Sequence, residues 1–245
     1  AGAIEGAWQI ATGQLTSISG QQFVDCTLGA YGNNGCGGGG LERTMAYARQ
    51  QPLANDASYP YEAAAGACNL HKRRVVVPTG GVHGYKHVDM GNDEALMEAI
   101  AQQPVAVLIE ADQTAFQLYS GGVLSSECDA RIDHAVLAVG YGTDNRQDYY
   151  LVKNSWGDVW GESGYVRMAR GKGRAGECGI TSSPPVYAVV DGSKAQPIDI
   201  TPSLIAGGVL FGVLCIIGAV CLFRSRCRRA RGGSPLLSAP ARAAP

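Results

Sequence analysis

Charge is sparse in this 245-residue sequence, in which only 17% of residues are Asp, Glu, Lys or Arg. With an apolar fraction of 46%, the chain has enough hydrophobic material for a real core. What charge exists is unevenly placed. Six of the 20 basic residues stand from Arg224 onward with no acidic residue among them, which leaves 14 basic against 21 acidic residues, a net −7, before that point. A domain that acidic lacks the basic face that phosphates require, so nucleic acid is excluded as a partner. No cysteine pair has C-x-x-C spacing and none of the four histidines stands at a metal-ligand interval, which argues against zinc or another metal. No initiating Met and no signal peptide are present, and no internal repeat is visible. Ala1 to Thr12 already reads as helix, with Ala1, Ile4, Trp8 and Ala11 at helical spacing and Gly13 as a stop, so the expectation is a fragment of a longer chain.

Five cysteines precede Ser203: Cys26, Cys36, Cys68, Cys128 and Cys178. Wide spacing in Gly-rich loops suits disulfides and an oxidising compartment. Five is odd, so either one thiol is free or its partner lies outside this sequence.

The first seventy residues read as mainly helical. Ser19-Gly20-Gln21-Gln22 has capping-box spacing ahead of Phe23-Val24. A Gly-rich loop from Gly35 to Gly40 leads into a helix with Leu41, Met45 and Ala48 on one face. Tyr59-Pro60-Tyr61 marks a turn. From Val82 the character changes to strands and Gly turns, with one helix at Asp93 to Gln102 stopped by Pro104. Val105–Ile109, Ala135–Gly140, Tyr149–Val152 and Tyr165–Ala169 are strand-like runs. Gly171 to Gly176 fits G-x-G-x-x-G, but no helix pattern follows, so it reads as a loop and not a dinucleotide site.

The tail is of another kind. No charge stands between Asp199 and Arg224, and the 21 residues from Ser203 to Phe223 are mostly Leu, Ile, Val, Ala and Gly. At about 1.5 Å per residue they extend roughly 31 Å, enough to cross a hydrocarbon core. Arg224, Arg226, Arg228, Arg229 and Arg231 follow, which orients the C-terminus to the cytoplasm and the large domain to a lumen or the outside. The expected layout is a linker over 191–202, one transmembrane helix over 203–223, and a basic, disordered cytoplasmic tail over 224–245. A GPI signal would end in its apolar tail, whereas 22 residues follow here. Gly208 and Gly212 have G-x-x-x-G spacing, an expectation of weak homodimerisation through the span, and Cys227 beside the Arg cluster suits palmitoylation.

His71, His83 and His87 sit in polar contexts. His134 heads the apolar run Asp133-His134-Ala135-Val136-Leu137-Ala138-Val139-Gly140-Tyr141-Gly142. A lone His there is more often structural than catalytic. Downstream, however, Asn154-Ser155-Trp156-Gly157-Asp158-Val159-Trp160-Gly161-Glu162-Ser163-Gly164-Tyr165 reads N-S-W-G-x-x-W-G-x-x-G-Y. Together with D-H-A-V-x-x-V-G-Y-G, it resembles the papain-like cysteine peptidases of cathepsin L type. The resemblance runs from Ala1 to about Val190. Ser19 to Cys26 is similar to S-E-Q-x-L-V-D-C, with Gly20 departing from the usual Glu, and Gly35 to Gly39 is similar to G-C-x-G-G.

This resemblance implies an α+β fold over 1–190, truncated at its N-terminus, with a helical half to about residue 81, a β-barrel half over about 82–190, and the active site in the cleft between them. It implies peptide or protein substrates and no cofactor. His134 takes the role of the base that forms an ion pair with a thiolate, and Asn154 that of its neutral orienting amide. Trp156 covers their hydrogen bond. Gly38 and Gly39 allow an extended substrate close to the backbone, with Asp133 also on the substrate side and Trp160 on the leaving-group side. Leu41, Ile132, Ala135 and Ser183 line the pocket for the residue two before the scissile bond, which implies Leu, Val or Phe there. Cys26 pairs with Cys68 and Cys128 with Cys178 by family position, leaving Cys36 for a third bridge to a cysteine outside this sequence. The family's C-G-S-C-W-[AS]-F motif with the nucleophile, and the oxyanion Gln, are absent, so the chain as it stands is expected to be inert. The rival readings are a pseudoenzyme that uses the cleft only to bind peptides or inhibitors and a receptor-like structural protein.

Overall fold

A computed structural model describes residues 1–195 apart from Lys72 and Glu127. The expected span over 203–223, with Gly208 and Gly212, and the tail over 224–245 lie outside the described residues. Among the described residues no helix is long and apolar enough to cross a membrane.

Helix α1 (Gly2–Thr12) buries Ala3, Ile4, Ala7 and Trp8 and stops at Gly13, whose φ of 73° lets its N–H turn back to Gln9 O. Ala11, expected on the same stripe, is exposed at the last turn. Helix α2 (Gly20–Cys26) starts as the capping spacing predicts, with the Ser19 hydroxyl accepting from Gln22 N at 2.9 Å. The reciprocal half of the box is not made. Gln22 turns inward instead: its Oε1 accepts from Ala54 N at 2.7 Å, and its Nε2 donates to the Tyr47 hydroxyl and Pro52 O, each at 2.8 Å. Helix α3 (Leu41–Gln50) follows the Gly-rich loop, and β1 (Leu53–Ala54) pairs antiparallel with β2 (Val75–Val77).

The second part contains β3 (Val82–His87), α4 (Asp93–Gln102), β4 (Val105–Ile109), α5 (Thr114–Gln117), β5 (Val123–Leu124), β6 (His134–Asp144), β7 (Gln147–Lys153), β8 (Tyr165–Ala169) and β9 (Val186–Val190). All but α4 and α5 form one seven-stranded sheet in the order β3-β9-β4-β6-β7-β8-β5. It is antiparallel except where β5 runs parallel to β8. The barrel implied by resemblance is an open sheet here: β3 and β5 are its edges, and β5, two residues long, pairs only with β8. The β6–β7 hairpin extends past the apolar runs because its turn residues, Asn145 (φ 47°) and Arg146 (φ 64°), both adopt the left-handed conformation that matches strand twist. Gly171 to Gly173 lie in a loop ahead of a 3-10 turn at Glu177–Gly179.

Two cores lie on the two faces of this sheet. Strand β4 shows the division: Val105, Val107 and Ile109 point into a core with Leu96, Phe116, Tyr150 and Met168, while Ala106 points into one with Ile4, Trp8, Met45 and Leu53. Being covered on both sides, β4 reads as an unbroken apolar run. The helix-side core also takes Val82 from β3 and Val186 and Ala188 from β9, so α1 rests on strands far from it in sequence. Gly2 and Gly6 let it sit close: a Cβ at Gly2 would lie 2.7 Å from Leu137 Cδ2, and one at Gly6 2.5 Å from Pro104 Cγ. Disulfides join Cys26 to Cys68 (Cα–Cα 4.7 Å) and Cys128 to Cys178 (Cα–Cα 4.6 Å), and Cys36 is free and exposed.

Candidate active site

His134 opens β6 opposite Ile109 of β4, and Asn154 follows the last residue of β7. Because β6 and β7 are antiparallel, the start of one meets the end of the other, and the two side chains come together. His134 Nε2 lies 2.9 Å from Asn154 Oδ1. The same oxygen accepts from Ser155 N at 2.8 Å, which fixes the amide with its oxygen toward the ring. An amide oxygen only accepts, so Nε2 is the donor in this bond. Asn154 is 8% exposed, and its Nδ2 has no hydrogen-bond partner among the described residues.

Trp156 lies beside this pair, its ring 5.2 Å from that of His134 and tilted by 32°. It belongs to an aromatic row. Phe116 of α5 meets Trp156 edge-on at 5.4 Å, Trp160 meets Trp156 edge-on at 5.3 Å, and Tyr119 lies 5.7 Å from Trp160. Trp160 Nε1 donates to Gln117 O at 3.1 Å. The row reaches the His–Asn pair through the Trp156 ring.

The other residues singled out in the sequence fall into two groups. Leu41 and Ala135 line one cavity of about 540 Å³, together with Met45, Ala106, Asn154 and the first residues of α1. Ile132 and Ser183 are not among its lining residues. Ile132 packs at Gly179, where a Cβ would lie 2.9 Å from Ile132 Cδ1, and Ser183 is half-buried in the turn before β9. Asp133 Oδ1 accepts from Ala111 N at 2.8 Å, tying its carboxylate to the end of β4. Gly38 and Gly39 have a local reason to be glycine. Gly38 has φ 98°, and a Cβ at Gly39 would lie 2.4 Å from Asn33 Oδ1, which accepts from Gly40 N. Cys36 does not line the cavity beside Asn154.

A polar cluster behind the aromatic row was missed in the sequence. Arg167 on β8 donates from Nε to Glu162 Oε2 at 2.8 Å and from Nη2 to Glu162 Oε1 at 2.6 Å, while its Nη1 donates to Asp144 Oδ2 at 2.6 Å. Glu162 Oε1 also accepts from Gly122 N at 2.9 Å, and the Tyr119 hydroxyl donates to Gly122 O at 2.5 Å. The Arg167 guanidinium holds the Glu162 carboxyl below the usual carboxylate range, and burial pushes the Tyr119 phenol up. The available signal was Arg167 itself, a charge inside the strand run Tyr-Val-Arg-Met-Ala, which needs a partner when half-buried.

The structure thus brings together an imidazole fixed by a neutral amide and an indole lying beside the pair. Residues 1–188 match the family described as papain family cysteine protease, and the chain belongs to that family. It is 41% identical over 195 residues to cysteine proteinase RD21A of Arabidopsis thaliana, an alignment that covers 79% of this chain and 41% of that protein. It is 44% identical over 181 residues to thiol protease SEN102 of Hemerocallis sp., covering 72% of this chain and 49% of the relative. The chain thus spans less than half the length of these relatives. Among solved structures, the bromelain protease of Ananas comosus matches with a TM-score of 0.70 at 36% identity, over 77% of this chain and 85% of that one. Digestive procathepsin L 3 of Tenebrio molitor matches with a TM-score of 0.71 at 39% identity, over 77% of this chain and 60% of that one.

Proposed function

We propose that this chain is the His–Asn-bearing body of a membrane-anchored cysteine endopeptidase whose thiolate and oxyanion-stabilising Gln come from residues outside the sequence given. The observation that carries the reading is the 2.9 Å His134–Asn154 hydrogen bond with Trp156 beside it. A binding module has no need of that relay. In the proposed cycle, Nδ1 of His134 takes the thiol proton, and the thiolate adds to the scissile carbonyl carbon. The tetrahedral adduct collapses to a thioester as the C–N bond breaks, and the imidazolium returns the proton to the leaving amine. Water, deprotonated by the same nitrogen, then hydrolyses the thioester and releases the thiol. The cysteines described here do not supply that thiol: four are bridged, and Cys36 stands away from the cavity. The chain as given is therefore inert in this reading.

Leu41 and Ala135 give the cavity apolar walls, which supports a preference for Leu, Val or Phe two residues before the scissile bond. A chain extended upstream by the family's Cys-bearing segment tests both points with a peptide library. Cleavage one residue beyond such side chains is the expected result. A profile dominated by Arg there would overturn the pocket assignment, and a folded chain silent even toward thiol-reactive peptides would establish a pseudoenzyme.

The anchor rests on the uncharged run 203–223 and the arginines behind it. In sealed vesicles, protease added on the cytoplasmic side is expected to remove only the tail. Digestion of residues 1–190 from that side would invert the orientation.

A further inference from the structure

We propose that Arg167 is a positioning residue for the candidate site: through Glu162 it holds the segment 155–164, and with it Trp156, in place beside the His134–Asn154 hydrogen bond. The segment leaves β7 at Asn154 and rejoins the sheet at Tyr165. Its backbone is tied at the neck by Asn154 N to Gly164 O (2.9 Å) and in its second half by Gly164 N to Trp160 O (2.7 Å) and Glu162 N to Tyr165 O (2.9 Å). Trp156, in the first half of the segment, is 39% exposed and makes ring contacts with Phe116, His134 and Trp160. Such contacts set a direction of approach, but each adds only a modest attraction, so they hold the loop only where their partners are themselves fixed.

The rigid element lies behind the loop. Arg167 grips both oxygens of Glu162 and one of Asp144, so a planar fork on β8, a strand paired on both sides, fixes the carboxylate in two dimensions. Glu162 hands that position on to Gly122 N, and Gly122 O takes the hydroxyl of Tyr119, whose ring lies against Trp160. Tyr119 closes the ring, its hydroxyl accepting from Arg167 N at 3.3 Å. Trp160 and Phe116 then meet Trp156 edge-on. The cluster also depends on its charge. Without the guanidinium, Glu162 and Asp144 would face each other unneutralised, and Glu162 would swing toward solvent with its loop.

The inference rests on the reading of His134 as the proton carrier, but its test needs no turnover and so stands or falls separately from that reading. The full chain is labelled with nitrogen-15 histidine, and exchange of the His134 Nε2 proton with solvent is followed by NMR, with His134→Gln assigning the signal. Arg167→Met is expected to speed that exchange about tenfold, as loss of a charge-assisted tie lowers the local opening free energy. Arg167→Lys, which keeps the charge but not the fork, should fall between. Arg170→Met serves as control: Arg170 pairs with Asp148 at 3.0 Å, outside the cluster, so it should lower the melting temperature and leave the exchange unchanged. Should Arg167→Met fail to fold, Glu162→Gln is read in its place, with the same direction expected. Wild-type exchange in a folded Arg167 or Glu162 variant would overturn the proposal, and so would an equal acceleration in Arg170→Met.

Discussion

In a chain extended by the family's Cys-bearing segment, His134→Ala is expected to lower kcat/KM by about 10³-fold or more, since one imidazole activates the thiol and protonates the leaving amine. The structure makes a substitute hard to find. Asn154 is the polar side chain in hydrogen-bond contact with the ring, and it has no titrating proton. Asn154→Ala should cost less, because the imidazole would remain and lose its fixed orientation. Steady-state assays of matched, folded preparations check this. A His134→Ala enzyme within tenfold of the parent would remove His134 from the mechanism.

The largest effect expected on stability lies far from that site. Gln22 is fully buried and serves three partners at once: the Ala54 N–H, the Pro52 carbonyl and the Tyr47 hydroxyl. Gln22→Leu nearly conserves volume and strands all three. At about 1–3 kcal/mol for each buried group left unpaired, a loss of roughly 3 kcal/mol or more is expected. For a domain of this size that is a fall of about 6–12 °C in melting temperature. Scanning calorimetry measures it. A drop under about 2 °C would mean that water or a repacked neighbour reaches these groups.

These two residues mark what the sequence could and could not disclose. The helix at Asp93–Gln102 and the strands at Val105–Ile109 and Tyr165–Ala169 were legible to the residue, because burial writes a period into the chain and Pro104 and the glycines punctuate it. His134 and Asn154 were legible through the motifs around them, not through any property of the residues alone. The role of Gln22 was not. Capping spacing pointed its side chain back to Ser19, but its partners stand 25 to 32 residues away, and no local pattern encodes them. Arg167 is a similar case, since Asp144 and Gly122 reach it only through the sheet order. The extension of β6 to Asp144 was hidden because its outer residues alternate with polar ones beyond Gly140. Ile132 and Ser183 were assigned to a pocket by position, and the cavity takes only Leu41 and Ala135 of that set.

Strand β9 closes the sheet between β3 and β4, and its Val186 and Ala188 complete the core beneath α1. During synthesis, α1 therefore emerges from the ribosome long before the surface it is to rest on. At about 5–20 residues per second, the interval is on the order of ten seconds or more. Throughout it, the Ala3, Ile4, Ala7 and Trp8 stripe is an apolar face with its final cover still untranslated, open to chaperones and to the same stripe on neighbouring nascent chains. The last strand acts as the timer of the fold, and a nascent chain released before residue 186 would leave the stripe of α1 without the cover that β9 provides.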